Sequence, residues 1–547
     1  MIGSIVAAVA TLPGLGVGTL WDNSETAYGE VAREILLFHD PVVLHLNGAP
    51  WFVQPPLYFW IAAAFASMLG ITEFALRLPS ALATIAMAAA VGYVVARLAS
   101  SRAALLAAMI LSTSLMQAVV GRLAIMDALL DLAVALAILS WFAALRTGGA
   151  AWWYGGWLAL AFGSLAKGPV ALAITLLVVV PWMLWDHVLG RQIVFPSRAR
   201  WAGGLALFLI IVAPWLVALY RAAGPAAFAA LFGHYTLGRY LGTIENQSGP
   251  IWYYLPVLIL GFFPWFAFFV PAAIAGWREA LGPNGSLARL CLCWAVLPLC
   301  FFSFAQTKLP NYVALELPAL AILVAVWFDR IVDRDDRRAA LAWTAVVPLT
   351  ILGLAFAISA FSRDNRLSGD LHAVRWDFTW LGVAIFAGSL LCFFLLMRRD
   401  SAWLGPFALG ATSVAVMLIV AVLGEPLVER FKPIPPLAAV IERDLRGSDA
   451  IAIQGVSGPN ALVFYTRPRV AVLDPPNEAT HDSSADPRQT ICRAPRAFVI
   501  ASRRRPSPDP TYGRARRTLA VRLDDVLYLY AGPPCRGFAA ETPPPAR

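Results

Sequence analysis

Charge is what this sequence has least of. Only 14% of its 547 residues are Asp, Glu, Lys or Arg, and 59% are apolar, whereas soluble domains carry about 25% charged residues. That excludes an ordinary soluble globular chain. Cysteine is also scarce: there are six, too few for a disulfide-stapled scaffold. Cys291, Cys293, Cys300 and Cys392 fall inside apolar runs, where they read as small packing residues, and a C-x-C pair on a helix points to two different faces. A basic face interleaved with stacking aromatics is missing, so the net charge of +9 does not announce a nucleic-acid partner. The internal repeat common in secondary transporters is missing as well.

What is abundant is the long apolar run. Thirteen candidate membrane helices lie at about 2–20, 74–97, 103–120, 126–145, 151–164, 169–186, 203–221, 252–276, 288–305, 311–328, 339–361, 378–397 and 403–423. A run of roughly 20 apolar residues crosses a hydrocarbon core as a helix. The first has no basic segment before it and no small-residue cleavage site, and reads as a retained helix. Lys167, Gly168 and Pro169 interrupt an otherwise continuous run between the fifth and sixth.

Basic residues give the orientation. Arg97 and Arg102, Arg146, Arg191 with Arg198 and Arg200, Arg278, Arg330 with Arg334, Arg337 and Arg338, and Arg398 with Arg399 occupy alternate short loops. By the positive-inside rule those loops are cytoplasmic. The opposite loops and everything after the last span then face outward. Cys492 and Cys535, the two cysteines of that tail, are available for one disulfide in an oxidising compartment.

The expected organisation is a membrane domain over 1–424, a proline-stiffened linker over 425–436 and a small soluble domain over 437–547. The fold class is mainly α and polytopic, with a small α/β or α+β tail. In that tail 437–446 reads as a helix, and "AIAIQG", "RVAVLD", "AFVIAS" and "VLYLYAG" read as strands. Three outward segments are long enough to carry chemistry: 21–73, 222–251 and 362–377. In the first, Tyr28, Val31, Ala32, Ile35 and Phe38 recur at helical spacing, with Glu30, Arg33 and Glu34 on the other side. That pattern predicts an amphipathic helix in the interface plane. A second apolar helix is expected over 56–69.

The few outward charges are the candidate chemistry. Asp22 and Glu25 fit a capping-box pattern, with Asp22 as N-cap, and a cap does not exclude catalysis. Asp127 and Asp131 are four apart on one face of a span, and carboxylates at that depth usually face a cavity. The plainer alternative makes Asp127 an N-cap with Asp131 paired to Arg122. Lys167, Arg239 and Lys308 lie on the outer side, where snorkelling to headgroups is the plainer role. Together, carboxylates can take a proton from a hydroxyl and cations can stabilise a departing phosphate. Such a set suits an anionic lipid substrate.

"LWDNSETAYGEVAREI", "LNGAPWFVQPPLYFWI", "LAKGP", "GPIWYYLPVLILGFFPWF" and "KLPNYVALELPALA", in this order, resemble the polyprenyl-phosphate-dependent GT-C glycosyltransferases related to protein O-mannosyltransferases and the lipid A aminoarabinose transferase. The resemblance runs from about residue 20 to 330. It implies a GT-C fold with interfacial helices in the first outer loop and an active-site cavity at the outer leaflet. It further implies that an acidic residue of that loop activates an acceptor hydroxyl, which attacks the anomeric carbon of a sugar on a polyprenyl phosphate and inverts it. Two positions depart from the family pattern. Ser24 stands where the family's aspartate is expected, so either Asp22 or Glu25 takes the base role or the role is lost. Gln54 stands where the family often has lysine, so Lys167, Arg239 or Lys308 has to supply the phosphate contact.

The reading is a glycosyltransferase of the bacterial inner membrane with its tail in the periplasm, moving a sugar from a polyprenyl-phosphate donor to a lipid, glycan or protein acceptor. Asp22, Glu25 and Asp127 are the expected catalytic residues. Tyr28, Gln54, Lys167, Arg239, Lys308 and Tyr312 are expected to bind substrate and phosphate. The expected partners are the lipid-linked sugar, the acceptor and the bilayer. No cofactor is required by the sequence, and a divalent metal at a carboxylate pair has no defined ligand set. The competing classes are a lipid-linked-glycan flippase and a non-catalytic lipid-binding relative.

Overall fold

The computed structural model describes residues 2–21, 24–243, 247–332, 334–359, 369–424, 429, 432, 434–454, 459–466, 470–473, 491–502, 517–522 and 525–531. The chain divides into two compact units, Met1–Val17 with Phe52–Leu427, and Gly18–Trp51 with Val428–Arg547.

The first unit is a bundle of apolar helices. Among the described residues nine are long and apolar enough to cross a membrane, or eleven if each of two bent pairs is one span. Against the thirteen expected, the shortfall lies at 2–20, where the helix is only Ile2–Thr11, and at 151–164. The latter is the helix Ala150–Lys167, whose Trp, Tyr and Gly residues keep its hydropathy low. The bent pairs are Ser101–Ser112 with Leu115–Arg122, at 61°, and Tyr254–Gly261 with Phe266–Ala280, at 106°. The expected helix at 56–69 is Leu57–Leu69.

Close approach in this bundle depends on tryptophan packed onto glycine. Trp141 stacks on Trp153 with ring centroids 5.5 Å apart, and Trp201 meets Trp153 edge-on at 4.6 Å. A Cβ on Gly156 would stand 2.2 Å from the Trp141 ring, so only glycine admits the neighbouring helix here. This contact fixes Ala150–Lys167 against Asp127–Thr147, the two helices that carry Lys167 and Asp127.

The second unit combines the first outer loop with the tail. Its mixed five-stranded sheet runs in the order Val470–Leu473, Ala450–Gln454, Arg496–Ser502, Asp525–Ala531, Arg517–Arg522. The first three strands are parallel to one another and the last two pair antiparallel. All four expected strands appear. A fifth, Arg517–Arg522, and the helix Pro459–Thr466 were not anticipated by the pattern, and the expected helix at 437–446 is Ile434–Asp444. Ile451, Ile453, Leu462, Phe498 and Ile500 fill the core. Cys492 is disulfide-bonded, and Cys535 lies outside the described residues, as do 362–368 of the outward segment 362–377 and much of the 425–436 linker.

The loop's helix is Glu25–Phe38, and here the structure corrects the interface-plane expectation. Both its sides are buried: Val31 and Ala32 of the apolar side are fully buried, Glu30, Arg33 and Glu34 are each under 5% exposed, and only its end, Leu37 and Phe38, is exposed. The reason is partner supply, since a buried charge persists only where it is paired and hydrogen-bonded. Arg33 Nη2 donates to Glu30 Oε1 at 2.6 Å, and the Gly48 N–H donates to Glu34 Oε1 at 2.8 Å.

Candidate active site

The membrane unit holds a cavity of about 360 Å³ whose wall includes Gln54, Lys167, Arg239, Tyr240, Phe302 and Tyr312. Each polar member arrives by a distinct local device. Lys167 is the last residue of its helix, where a cation complements the carbonyl end of the helix dipole. Gly168, at φ 67° and ψ −149°, then turns the chain into a region open essentially to glycine, and Pro169 precedes the next helix, Val170–Val188. Arg239 follows a wide-turned helical stretch, Ala229–Gly238. Such expanded turns are frequent at functional sites. Tyr312 sits in the tight turn Pro310–Glu316.

Lys167 is the hub. Its Nζ lies 2.5 Å from Asp127 Oδ1 and 4.8 Å from the centre of the Tyr312 ring. Asp127 is the first residue of its helix, and its carboxylate is engaged by Lys167, which the capping alternative did not foresee. Asp131, one turn deeper, is 3% exposed. Arg122, its suggested partner, donates instead to the carbonyls of Thr11 and Pro13 at 3.0 and 2.8 Å.

Glu316 escaped the sequence reasoning. It is fully buried, and among the described residues neither of its carboxylate oxygens nor Asp131 Oδ2 has a hydrogen-bond partner. The available signal was a single carboxylate in "YVALELPALA". Asp131 thus lies within electrostatic range of Asp127, Lys167 and Glu316.

Arg239 and the loop 305–309 are tied by backbone. The N–H groups of Gln306 and Thr307 donate to the carbonyls of Tyr240 and Arg239 at 3.0 and 3.2 Å. Lys308 is not on the cavity wall: its ammonium donates to the carbonyls of Ser303 and Ala305 at 2.7 and 2.8 Å, closing the carbonyl end of the helix Ser286–Phe304. It also lies 5.6 Å from the Tyr254 ring. Tyr254 stacks on Tyr312, which packs on Phe302 at 4.7 Å, so an aromatic wall backs the cations.

The loop residues belong to the other unit. Asp22 lies outside the described residues. Glu25 is 1% exposed and accepts the Trp21 N–H at 2.9 Å; the helix opens at Glu25 with Ser24 as its N-cap, so Glu25 is not the third residue of a capping box begun at Asp22. Tyr28 meets Trp51 edge-on at 6.1 Å. Burial pushes the Glu30 carboxyl up to about 8 despite Arg33, and burial raises Glu34 as well. Among the described residues no group of three or more His, Cys, Asp or Glu side chains is placed to hold a metal ion.

Residues 53–217 match the family described as dolichyl-phosphate-mannose-protein mannosyltransferase. Among curated relatives, undecaprenyl phosphate-alpha-4-amino-4-deoxy-L-arabinose arabinosyl transferases recur. That of Aeromonas hydrophila is 30% identical over 405 residues, 70% of each chain, and transferase 1 of Sodalis glossinidius is 30% identical over 400 residues, 70% of this chain and 68% of the relative. That of Erwinia tasmaniensis is 32% identical over 340 residues, so this chain's match spans only 58% of that relative's length. Among solved structures, ArnT from Cupriavidus metallidurans bound to undecaprenyl phosphate superposes with a TM-score of 0.80 at 21% identity, covering 96% of this chain and 97% of that one. This likeness establishes the fold.

Proposed function

Because this chain belongs to the polyprenyl-phosphate-dependent GT-C glycosyltransferases, the family of the undecaprenyl phosphate-aminoarabinose arabinosyl transferases, we propose that it transfers a sugar from a polyprenyl-phosphate donor to a lipid acceptor at the outer face of the bacterial inner membrane. The donor its relatives' names point to is undecaprenyl phosphate-aminoarabinose, and the acceptor class we propose, from the resemblance to the lipid A aminoarabinose transferase, is lipid A. The observation that carries the reading is the cavity that gathers Gln54, Lys167, Arg239 and Tyr312 in one apolar, aromatic-backed wall. An anionic phosphate on an isoprenoid chain needs that combination: cations for the headgroup and apolar surface for the chain.

In the proposed reaction the acceptor hydroxyl loses its proton to a carboxylate, and its oxygen forms a bond to the anomeric carbon as the bond from that carbon to the phosphate oxygen breaks. Inversion follows if the attack is a single displacement. Lys167 and Arg239 hold the negative charge that accumulates on the departing polyprenyl phosphate, and Gln54 and Tyr312 orient it. Asp127 holds Lys167 at its station, 2.5 Å away. The base is assigned to Asp22 or Glu25 in the first outer loop, with Tyr28 beside them. Lys308 supports the site by fixing the loop that leads into the turn bearing Tyr312. On this reading the tail lies in the periplasm.

The test is reconstitution of the purified full chain with undecaprenyl phosphate-aminoarabinose and lipid A, read by mass spectrometry. Lipid A gaining one aminoarabinose, with a matching amount of undecaprenyl phosphate released, is the expected result. Absence of both products from well-folded protein, across a panel of polyprenyl-phosphate sugars, refutes the proposal.

A further inference from the structure

The first outer loop, Gly18–Trp51, and the tail, Val428–Arg547, are far apart in sequence, yet they form one compact unit. Three sets of contacts join them. Arg33 donates from Nη1 to the Phe464 carbonyl at 3.1 Å and from Nη2 to the Val463 carbonyl at 3.3 Å. Both carbonyls lie in the last turn of the helix Pro459–Thr466, which leaves its final four carbonyls without partners inside the helix. Arg33 therefore caps a helix of the tail from within the loop.

Asn47 makes the second join. It has φ 56° and Gly48 φ 75°, both left-handed, at the tip of the hairpin His45–Leu46 with Ala49–Pro50. Its side-chain amide donates to the Val470 carbonyl at 2.8 Å and accepts the Val470 N–H at 3.0 Å. Val470 opens the edge strand of the tail sheet, so Asn47 occupies hydrogen-bonding groups that an edge would otherwise leave to solvent.

The third lies just before Glu25. The Thr19 N–H and hydroxyl donate to the Glu429 carboxylate at 2.9 and 2.8 Å, Lys432 donates to the Thr19 carbonyl at 2.7 Å, and the Leu20 N–H donates to the Tyr465 hydroxyl at 2.7 Å. The loop is thus held before, within and after the segment that contains Glu25 and Tyr28.

We propose that the tail is the template that positions the first outer loop for transfer, with Arg33 and Asn47 as positioning residues. The inference rests on the assignment of the base to that loop. Donor binding, by contrast, is assigned to the cavity of the membrane unit, which contains neither residue. Loosening the loop therefore lowers turnover and spares the affinity for polyprenyl phosphate. Arginine's planar fork matters here, because a lysine cannot span two carbonyls and the Glu30 carboxylate at once.

The experiment compares the full-length chain with Arg33→Gln and, in case that variant fails to fold, Asn47→Ala. It measures amide hydrogen exchange over residues 19–48, the dissociation constant for undecaprenyl phosphate, and transfer turnover. Expected are faster exchange across 19–48, turnover lower by about 10-fold to 100-fold, as misplacement of a reacting group produces, and a dissociation constant within about twofold of the unmodified chain, an affinity change too small to register loss of a contact. Unchanged exchange or unchanged turnover in folded variants overturns the proposal, and so does a dissociation constant that rises in step with the loss of turnover. If the unmodified chain transfers no sugar, the functional reading fails, while the exchange measurement still decides whether the tail holds the loop.

Discussion

Replacing Lys167 by methionine leaves the buried Asp127 carboxylate without the ammonium 2.5 Å from it. At that separation the attraction is about 6–7 kcal/mol with an effective dielectric constant near 20. Desolvating each ion costs several kcal/mol, so the intact pair is close to neutral for stability, whereas stranding one partner costs about 3–5 kcal/mol. With side-chain exposures of only 13% and 7%, water does little to relieve the stranded charge. Lys167→Met and Asp127→Asn are each expected to destabilise the fold, the first by that amount and the second by less, because a longer ammonium can reach elsewhere. The double variant Asp127→Asn/Lys167→Met is expected to be no less stable than Lys167→Met alone. Denaturant titration of all four proteins in detergent, closed as a double-mutant cycle, measures the coupling. A double variant whose loss equals the sum of the single losses to within about 0.5 kcal/mol is the signature of independent sites; that result refutes the account of Lys167 as held in place by Asp127. The same four proteins, assayed for transfer, should show Lys167→Met slower by about 10²–10³-fold, the cost of removing one group that stabilises developing charge.

Other consequences are equally open to measurement. Arg239→Gln should weaken undecaprenyl phosphate binding about 10-fold to 100-fold, because a hydrogen bond to a charged group contributes about 1.5–3 kcal/mol, and titration calorimetry reads this directly. Gly156→Val should lower the unfolding temperature by displacing the Trp141 stack, a strain of about 1–3 kcal/mol, visible in a thermal melt. Since burial raises the Glu30 carboxyl from its ordinary 4.5 to about 8, between those values the folded chain keeps a proton that the unfolded chain has released. Stability of the loop-and-tail unit should therefore fall as pH rises from about 5 to 8, by at most about 1.4 kcal/mol per pH unit, and Glu30→Gln should flatten that slope in hydrogen-exchange measurements.

The apolar runs alone determined that this is a polytopic helical protein, because a chain in lipid has to satisfy its backbone hydrogen bonds within each helix. The scarcity of charge made Asp127, Lys167 and Arg239 conspicuous, the family resemblance singled out Gln54, and four substrate-binding candidates, Gln54, Lys167, Arg239 and Tyr312, do line one cavity. The Lys167-Gly168-Pro169 break was legible for a similar local reason, since glycine and proline act on the backbone wherever they occur. Partner choice was not legible in this way. That Lys167 spans to Asp127, that Lys308 is absorbed by the end of the helix preceding it, and that Glu316 lies buried near Asp131 depend on how the chain packs. The clearest case is the helix Glu25–Phe38, whose spacing described an apolar face and a polar face but not that the polar face would be buried as well. Only the tertiary fold supplied Phe464, Val463 and Val470 as partners for Arg33 and Asn47. A polar stripe turns inward when hydrogen-bonding groups await it there, and those groups came from a segment more than 400 residues away.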